Sequence, residues 1–121
     1  MSDHRQALGA EGEARAAAHL TRRGYRIVAR NVRADGVEID LVAERAGTIA
    51  FVEVKTRTNA RHGSPFLAVD ARKQARLARG ALAWLRGRRV RARRIRFDVV
   101  ACWKEGADWR IEHWPGAFDA Q

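Results

Sequence analysis

The chain has 121 residues, 24 of them basic and 14 acidic, for a formal net charge of +10; this length fits one domain, and the field favours polyanions such as nucleic acid or an acidic membrane surface. A single cysteine, Cys102, excludes an intramolecular disulfide and a cysteine-built zinc cluster and fits a reducing cytoplasm. No stretch approaches the ~18 apolar residues of a membrane span, and "MSDHRQALGAEGEARAAA" lacks a signal-peptide core, so a cytoplasmic protein with no membrane partner is expected.

Good helix formers from about His4 to Arg23, closed by Gly24, predict a first helix. "YRIVARNV" alternates Tyr25, Ile27 and Ala29 against Arg26, Val28 and Arg30, which predicts a strand ending in a turn around Ala34, Asp35 and Gly36. "VEIDLVAERAGTIAFVEVKTR", from Val37 to Arg57, predicts two strands joined at Ala46 and Gly47. From Thr56 to Ala68 there is no period, and Gly63 and Pro65 predict a loop. A second helix follows from about Val69, with Gln74, Leu77, Ala78, Ala81, Trp84 and Leu85 as its apolar stripe and Arg72, Lys73, Arg76 and Arg79 on another side. "RGRRVRARRIR" then places seven arginines between Arg86 and Arg96, before "IRFDVVACW" and "DWRIEHW", two closing strands around a turn at Gly106. The order α-β-β-β-α-β-β, without repeats, predicts one α/β domain over residues 1–121, a mixed sheet flanked by helices.

The Ala46–Gly47 turn, extended as a regular ladder, places Asp40 opposite Glu53 and Glu38 opposite Lys55, all four on one face. Two carboxylates at about 5 Å repel by on the order of 3 kcal/mol at an effective dielectric near 20, so a proton, a basic neighbour or a metal must neutralise them. Mg²⁺ suits the pair, because it takes hard oxygen ligands from one or two carboxylates and leaves its other positions to water and substrate phosphate. Asp40 and Glu53 are then the candidate metal ligands, the backbone carbonyl of Val54 a third, and Lys55 a fixed positive charge beside the phosphate or the attacking water. The competing reading is a solvated salt-bridge ladder on an open sheet face. Val42, Ile49 and Phe51 share the charged face and need covering, which points to a partly buried pocket.

Arg88, Arg89, Arg91 and Arg93, with Arg57, Arg72, Lys73, Arg76 and Arg79, form the candidate phosphate-binding surface; solvated charge is the alternative, and a surface position is the favoured one for Lys73. His62 is open to a proton-transfer role or to none, and His4, His19 and His113 have no ligand spacing and receive no role. Asp98 reads as a structural partner for an arginine, Trp84 as core, and Trp103, Trp109 and Trp114 as packing for the last strands.

At "GAEGEARAAAHLTRRGYRIVARNVR", "EIDLVAE", "FVEVKTR", "HGSPFLAVDARKQARLARGALAWL" and "RFDVVA" the chain resembles the YraN family of small bacterial proteins. That family is itself similar to archaeal Holliday-junction resolvases in the restriction-endonuclease-like PD-(D/E)XK nuclease superfamily. The resemblance implies a restriction-endonuclease-like mixed sheet, with Asp40, Glu53 and Lys55 on the acidic-acidic-lysine site and Glu13 on a glutamate of the resolvase first helix. It also implies Mg²⁺ or Mn²⁺ as cofactor, nucleic acid as partner with DNA ahead of RNA, and a homodimer. Glu13 shares a helical stripe with Ala17 and Leu20; a surface glutamate near the positive helix N-terminus is the equal alternative. Two departures stand out: Ile39 rather than proline precedes Asp40, and Val37 occupies a position where the family usually has glycine. The expected function is an endonuclease-like phosphodiesterase acting on DNA, branched or flapped; the alternative is a non-catalytic nucleic-acid-binding or assembly module that keeps the fold.

Overall fold

The computed structural model describes residues 2–58, 70–88 and 94–118. In chain order these form α1 (Ser2–Arg22), β1 (Arg26–Ala34), β2 (Val37–Arg45), β3 (Thr48–Arg57), α2 (Ala71–Arg88), β4 (Arg94–Glu105) and β5 (Asp108–Phe118). The order and the α/β class are those that the sequence pattern predicts. Thr56 and Arg57, expected to open a loop, instead end β3. From Asn59 onward that expected loop, with His62, and Arg89, Arg91 and Arg93 lie outside the described residues.

Asp35–Gly36 and Ala46–Gly47 each place two consecutive residues at positive φ, 51° and 71° in the first turn and 52° and 83° in the second. Such two-residue turns carry the twist that antiparallel neighbours need, so β1, β2 and β3 follow one another as a meander. The five strands form one sheet in the order β1-β2-β3-β4-β5. Only β3 and β4 are parallel, and α2 is the crossover that connects them.

Alternation along β3 separates two cores. Ile49 and Phe51 pack with Val42 against Leu77, Ala78, Ala81 and Trp84 of α2, whereas Ala50 and Val52 pack with Leu41 against Ala16, Ala17 and Leu20 of α1. The helices therefore cover opposite faces, and α2 supplies the cover that Val42, Ile49 and Phe51 require. Trp84 meets Phe51 edge to face at 5.9 Å between centroids.

Two glycines let the helices approach closely. A β-carbon on Gly12 would stand 2.1 Å from Thr56 Oγ1, so α1 lies directly on the end of β3 and sets the next residue, Glu13, beside it. A β-carbon on Gly80 would stand 2.8 Å from the Val37 β-carbon. Val37 at the start of β2 is thus accommodated by a glycine on α2.

Gly80→Ala should destabilise the protein by about 1–3 kcal/mol through overpacking, measured by urea unfolding. In a Val37→Ala background that cost should shrink, giving a coupling of at least about 0.5 kcal/mol in the double-mutant cycle. Strictly additive costs would show that the two positions do not share this contact.

Candidate active site

β2 pairs with β3 from Arg45↔Thr48 to Leu41↔Val52, the register that the Ala46–Gly47 turn dictates, and the ladder stops there. At this point β2 changes phase. Ile39 belongs to the α2-side core and Leu41, two residues on, to the α1-side core, which strict alternation does not allow. On the other flank, Arg30↔Leu41 and Val32↔Ile39 leave Asn31 facing Asp40, and Asn31 has φ 49°, a left-handed conformation that asparagine tolerates better than most residues. In the opened gap Asp40 Oδ2 accepts a hydrogen bond from the Val54 N–H at 2.8 Å. The carboxylate takes over a backbone donor that would otherwise lack a ladder partner.

This geometry corrects the regular-ladder expectation. Asp40 bonds the residue after Glu53 rather than standing squarely across from it. Glu38 does not meet Lys55; it lies exposed, 3.4 Å from Arg33, because the phase change takes it out of series with the residues beyond Asp40. Lys55 turns instead to Glu53 Oε1 at 3.3 Å.

A second lysine reaches the same oxygen. Lys73 Nζ lies 2.5 Å from Glu53 Oε1, so Lys73 is part of this cluster and not of a separate basic surface. Its placement follows from the start of α2: Asp70 Oδ1 accepts the Lys73 N–H at 2.9 Å and the Asp70 carbonyl accepts the Gln74 N–H at 2.9 Å, an N-cap that fixes the first turn. The aspartate three residues before Lys73 is a capping signal visible in the sequence.

The repulsion between carboxylates is relieved in two ways. Glu53, only 8% exposed, is held by the two ammonium groups. Asp40 has no such partner: burial first, and then the charge of Glu53, push its pKa up to about 7, the Val54 N–H opposing and Glu13 and Glu38 adding to the rise. Glu13 on α1 is likewise raised, mainly by burial, against a hydrogen bond from Asn31 and with the charges of Glu38 and Glu53 adding. The charges of Glu13 and Glu53 act on each other and on Asp40, so α1 contributes to the same field. Burial and the neighbouring Lys73 lower the Lys55 pKa, against the pull of Glu53. Lys73, although burial alone would lower it, is held up by its bond to Glu53.

Asp40, Glu53 and Lys73 open into a cavity of about 440 Å³ that Arg72 and Arg76 also line. Arg57 lines a separate groove with Glu13 and Val54. Two other arginines of the expected basic surface are turned elsewhere: Arg79 pairs with Asp35 at 2.8 Å, and Arg88 lies 5.5 Å over the Trp84 ring. Among the described residues no group of three or more histidine, cysteine, aspartate or glutamate side chains is arranged to hold a metal ion.

Asp98 provides the internal comparison. It is fully buried where the β4–β5 register shifts between Phe97 and Val99. The arginine it partners is Arg96, whose Nε and a terminal nitrogen donate to its two oxygens at 2.8 and 2.9 Å while also bonding Tyr25 Oη at 2.6 Å. Arg96, the last of the seven arginines of that run, therefore faces inward. His113, given no role from the sequence, places Nε2 2.7 Å from Asp98 Oδ2, and the Gly116 N–H donates to Oδ1 at 3.0 Å. Burial works to raise the Asp98 pKa, but His113, Arg96 and Gly116 hold it below the usual value.

Fold and site together define an α/β protein that opens its central hairpin to gather carboxylates and two lysines. The chain belongs to the UPF0102, or YraN, family: the sequence profile described as "Uncharacterised protein family UPF0102" matches residues 12–102, a span that includes Glu13, Asp40, Glu53, Lys55 and Lys73. It is similar to the UPF0102 protein of Trichlorobacter lovleyi, at 50% identity over 94% of this chain and 91% of the relative. It is also similar to that of Geobacter metallireducens, at 45% identity over 98% of each. Among the described residues no helix is long and apolar enough to cross a membrane.

One substitution should act with opposite sign at the two aspartates. Asp40 holds its proton more tightly folded than unfolded, so stability falls as pH rises from about 4 to about 7. Asp40→Asn should then raise stability by about 1–3 kcal/mol at pH 8, with the gain fading towards pH 4. Asp98→Asn should lower it by about 1–3 kcal/mol at pH 8, because a half-buried arginine and histidine lose their charged partner. Urea unfolding at both pH values checks this, and an Asp40→Asn that destabilises equally at both would contradict it.

Proposed function

We propose that this protein is a Mg²⁺- or Mn²⁺-dependent nuclease that hydrolyses a phosphodiester in nucleic acid, DNA ahead of RNA, with Asp40, Glu53 and Lys55 at the reacting centre. The observation that carries the reading is the meeting of Asp40, Glu53 and Lys73 in one cavity, with Lys55 on the same Glu53 oxygen as Lys73 and the Asp40 pKa raised to about 7 by burial and by neighbouring carboxylate charge. Such perturbation inside a cleft is typical of functional sites. The net charge of +10 and the resemblance to resolvase-like nucleases at "EIDLVAE" and "FVEVKTR" support the choice of substrate.

The donor set fits a hard divalent cation. Mg²⁺ asks for one or two carboxylates rather than a full protein cage, which agrees with two acids and no larger ligand group among the described residues. Asp40 Oδ2 is engaged by Val54 and Glu53 Oε1 by the lysines, so Asp40 Oδ1 and Glu53 Oε2 are the oxygens left for a cation, with the Val54 carbonyl as a third donor. When bound, the ion would supply Lewis acidity at the scissile phosphate and favour deprotonation of water at neutral pH.

The chain's own groups do the remaining work. Lys55 and Lys73 place positive charge where negative charge develops on the phosphate oxygens. Their shared hold on Glu53 Oε1 also fixes that carboxylate in one orientation. The Val54 N–H does the same for Asp40. Glu13 contributes negative charge from the α1 side, which increases the demand for a cation. Arg72 and Arg76, on the cavity wall, are placed to hold the flanking phosphates.

Purified protein with Mn²⁺ should cleave linear, flapped or four-way DNA, and Asp40→Asn, Glu53→Gln and Lys55→Ala should each lose at least about 100-fold in rate, the scale of removing one group that stabilises the transition state. Calorimetry should show Mn²⁺ uptake by the wild type and its loss in Glu53→Gln. Equal cleavage by all four proteins would dismiss the site. DNA binding with neither cleavage nor metal uptake would instead assign a non-catalytic nucleic-acid-binding module.

A further inference from the structure

A second concavity is larger than the one at Glu53. It is a groove of about 860 Å³ on the opposite side of β3, between the first half of α1 and the end of the strand, and it contains Glu13 and Val54. Val54 donates to Asp40 in the neighbouring cavity, so the groove and the carboxylate cluster adjoin across a single residue of β3.

Its walls have a distinct chemistry. His4 and Arg5 stand on the α1 side and Thr56, Arg57 and Thr58 on the strand side. Among the described residues neither Arg5 nor Arg57 is paired with a carboxylate; the Arg57 guanidinium is steadied by the Thr56 carbonyl at 3.1 Å. Glu13, at the end nearest Asp40, is the only acid on the lining. No phenylalanine, tyrosine or tryptophan lines it, so it offers no platform for stacked bases. Unpaired guanidinium groups and hydroxyls without aromatic rings suit a sugar–phosphate backbone, which gives sequence-independent, salt-sensitive binding.

Gly9 is a second and independent sign. It lies inside α1, where glycine weakens a helix, and a β-carbon built there would meet no protein atom within 4 Å. Packing thus explains Gly12 on the same helix but not Gly9. The smooth patch it leaves faces the groove, where a backbone can approach closely.

We infer that the groove between α1 and the end of β3 seats the DNA backbone on one side of the reacting phosphate, with phosphates on Arg5 and Arg57, while Arg72 and Arg76 take those on the other side. This rests on the nuclease reading and adds the direction of the path: the nucleic acid crosses the open end of the hairpin from the α1 face to the α2 face.

The test is the affinity of a fluorescein-labelled DNA duplex across a salt series, in EDTA so that no cleavage intrudes. Arg5→Ala and Arg57→Ala should each make the slope of log affinity against log salt shallower by about 0.9, one phosphate contact apiece, and about twice that together. Arg26→Ala, which removes an arginine engaged with Glu44 at 2.6 Å, should leave the slope unchanged. Gly9→Leu should fold with a melting temperature at or above that of the wild type yet bind at least about tenfold more weakly, because its side chain occupies the groove. Slopes unmoved by both arginines, with Gly9→Leu binding as tightly as the wild type, would overturn the groove and leave the nuclease reading standing. A wild type with no affinity for DNA would overturn both.

Discussion

A regular antiparallel ladder cannot comfortably hold two carboxylates face to face, and this chain answers that constraint with one hydrogen bond, from the Val54 N–H to Asp40 Oδ2. β2 and β3 part at Leu41↔Val52, and the side chain of Asp40 fills the gap that the parting creates. The phase change in β2, the left-handed Asn31 opposite it, and the exposure of Glu38 all lie at this opening. Without it Asp40 would be one more residue of a ladder, and the cavity beside Glu53 would lose its acidic wall.

The same device occurs at Asp98, which takes the Gly116 N–H where β4 and β5 shift register. The difference lies in charge. Asp98 is met by a guanidinium and an imidazole, and its pKa falls; Asp40 is met by one amide and three other acids, and its pKa rises. A buried carboxylate whose partners neutralise it holds structure together, whereas one left in excess of negative charge marks a candidate functional site. Both lysines make their ion-pair contacts with Glu53 Oε1, and Lys73 also feels the charge of Asp40, yet the Asp40 pKa stays raised.

The basic residues divide according to where the fold leaves them. Arg96 becomes a core residue in function, Arg79 is neutralised by Asp35, and Lys73 turns towards Glu53. Arg72 and Arg76 border the carboxylate cavity, and Arg57 borders the groove beneath α1. A net charge of +10 describes the far field well, yet the useful positive charge near the site is a small, placed subset of it.

By itself the sequence determined the element order, the glycine turn that sets the β2–β3 register, the apolar stripe of α2 and the pairing of Asp98 with an arginine, because each depends on neighbours in the chain or on a strict period. It also placed Asp40, Glu53 and Lys55 near one end of a hairpin. Only the tertiary structure decided that β2 slips phase at Asp40, that Glu38 pairs with Arg33 rather than Lys55, that Lys73 arrives from α2 and that His113 and Arg96 close on Asp98. Periodicity carries no record of its own interruption, and a side chain's partner across the sheet is fixed by packing between segments that the local pattern treats as independent.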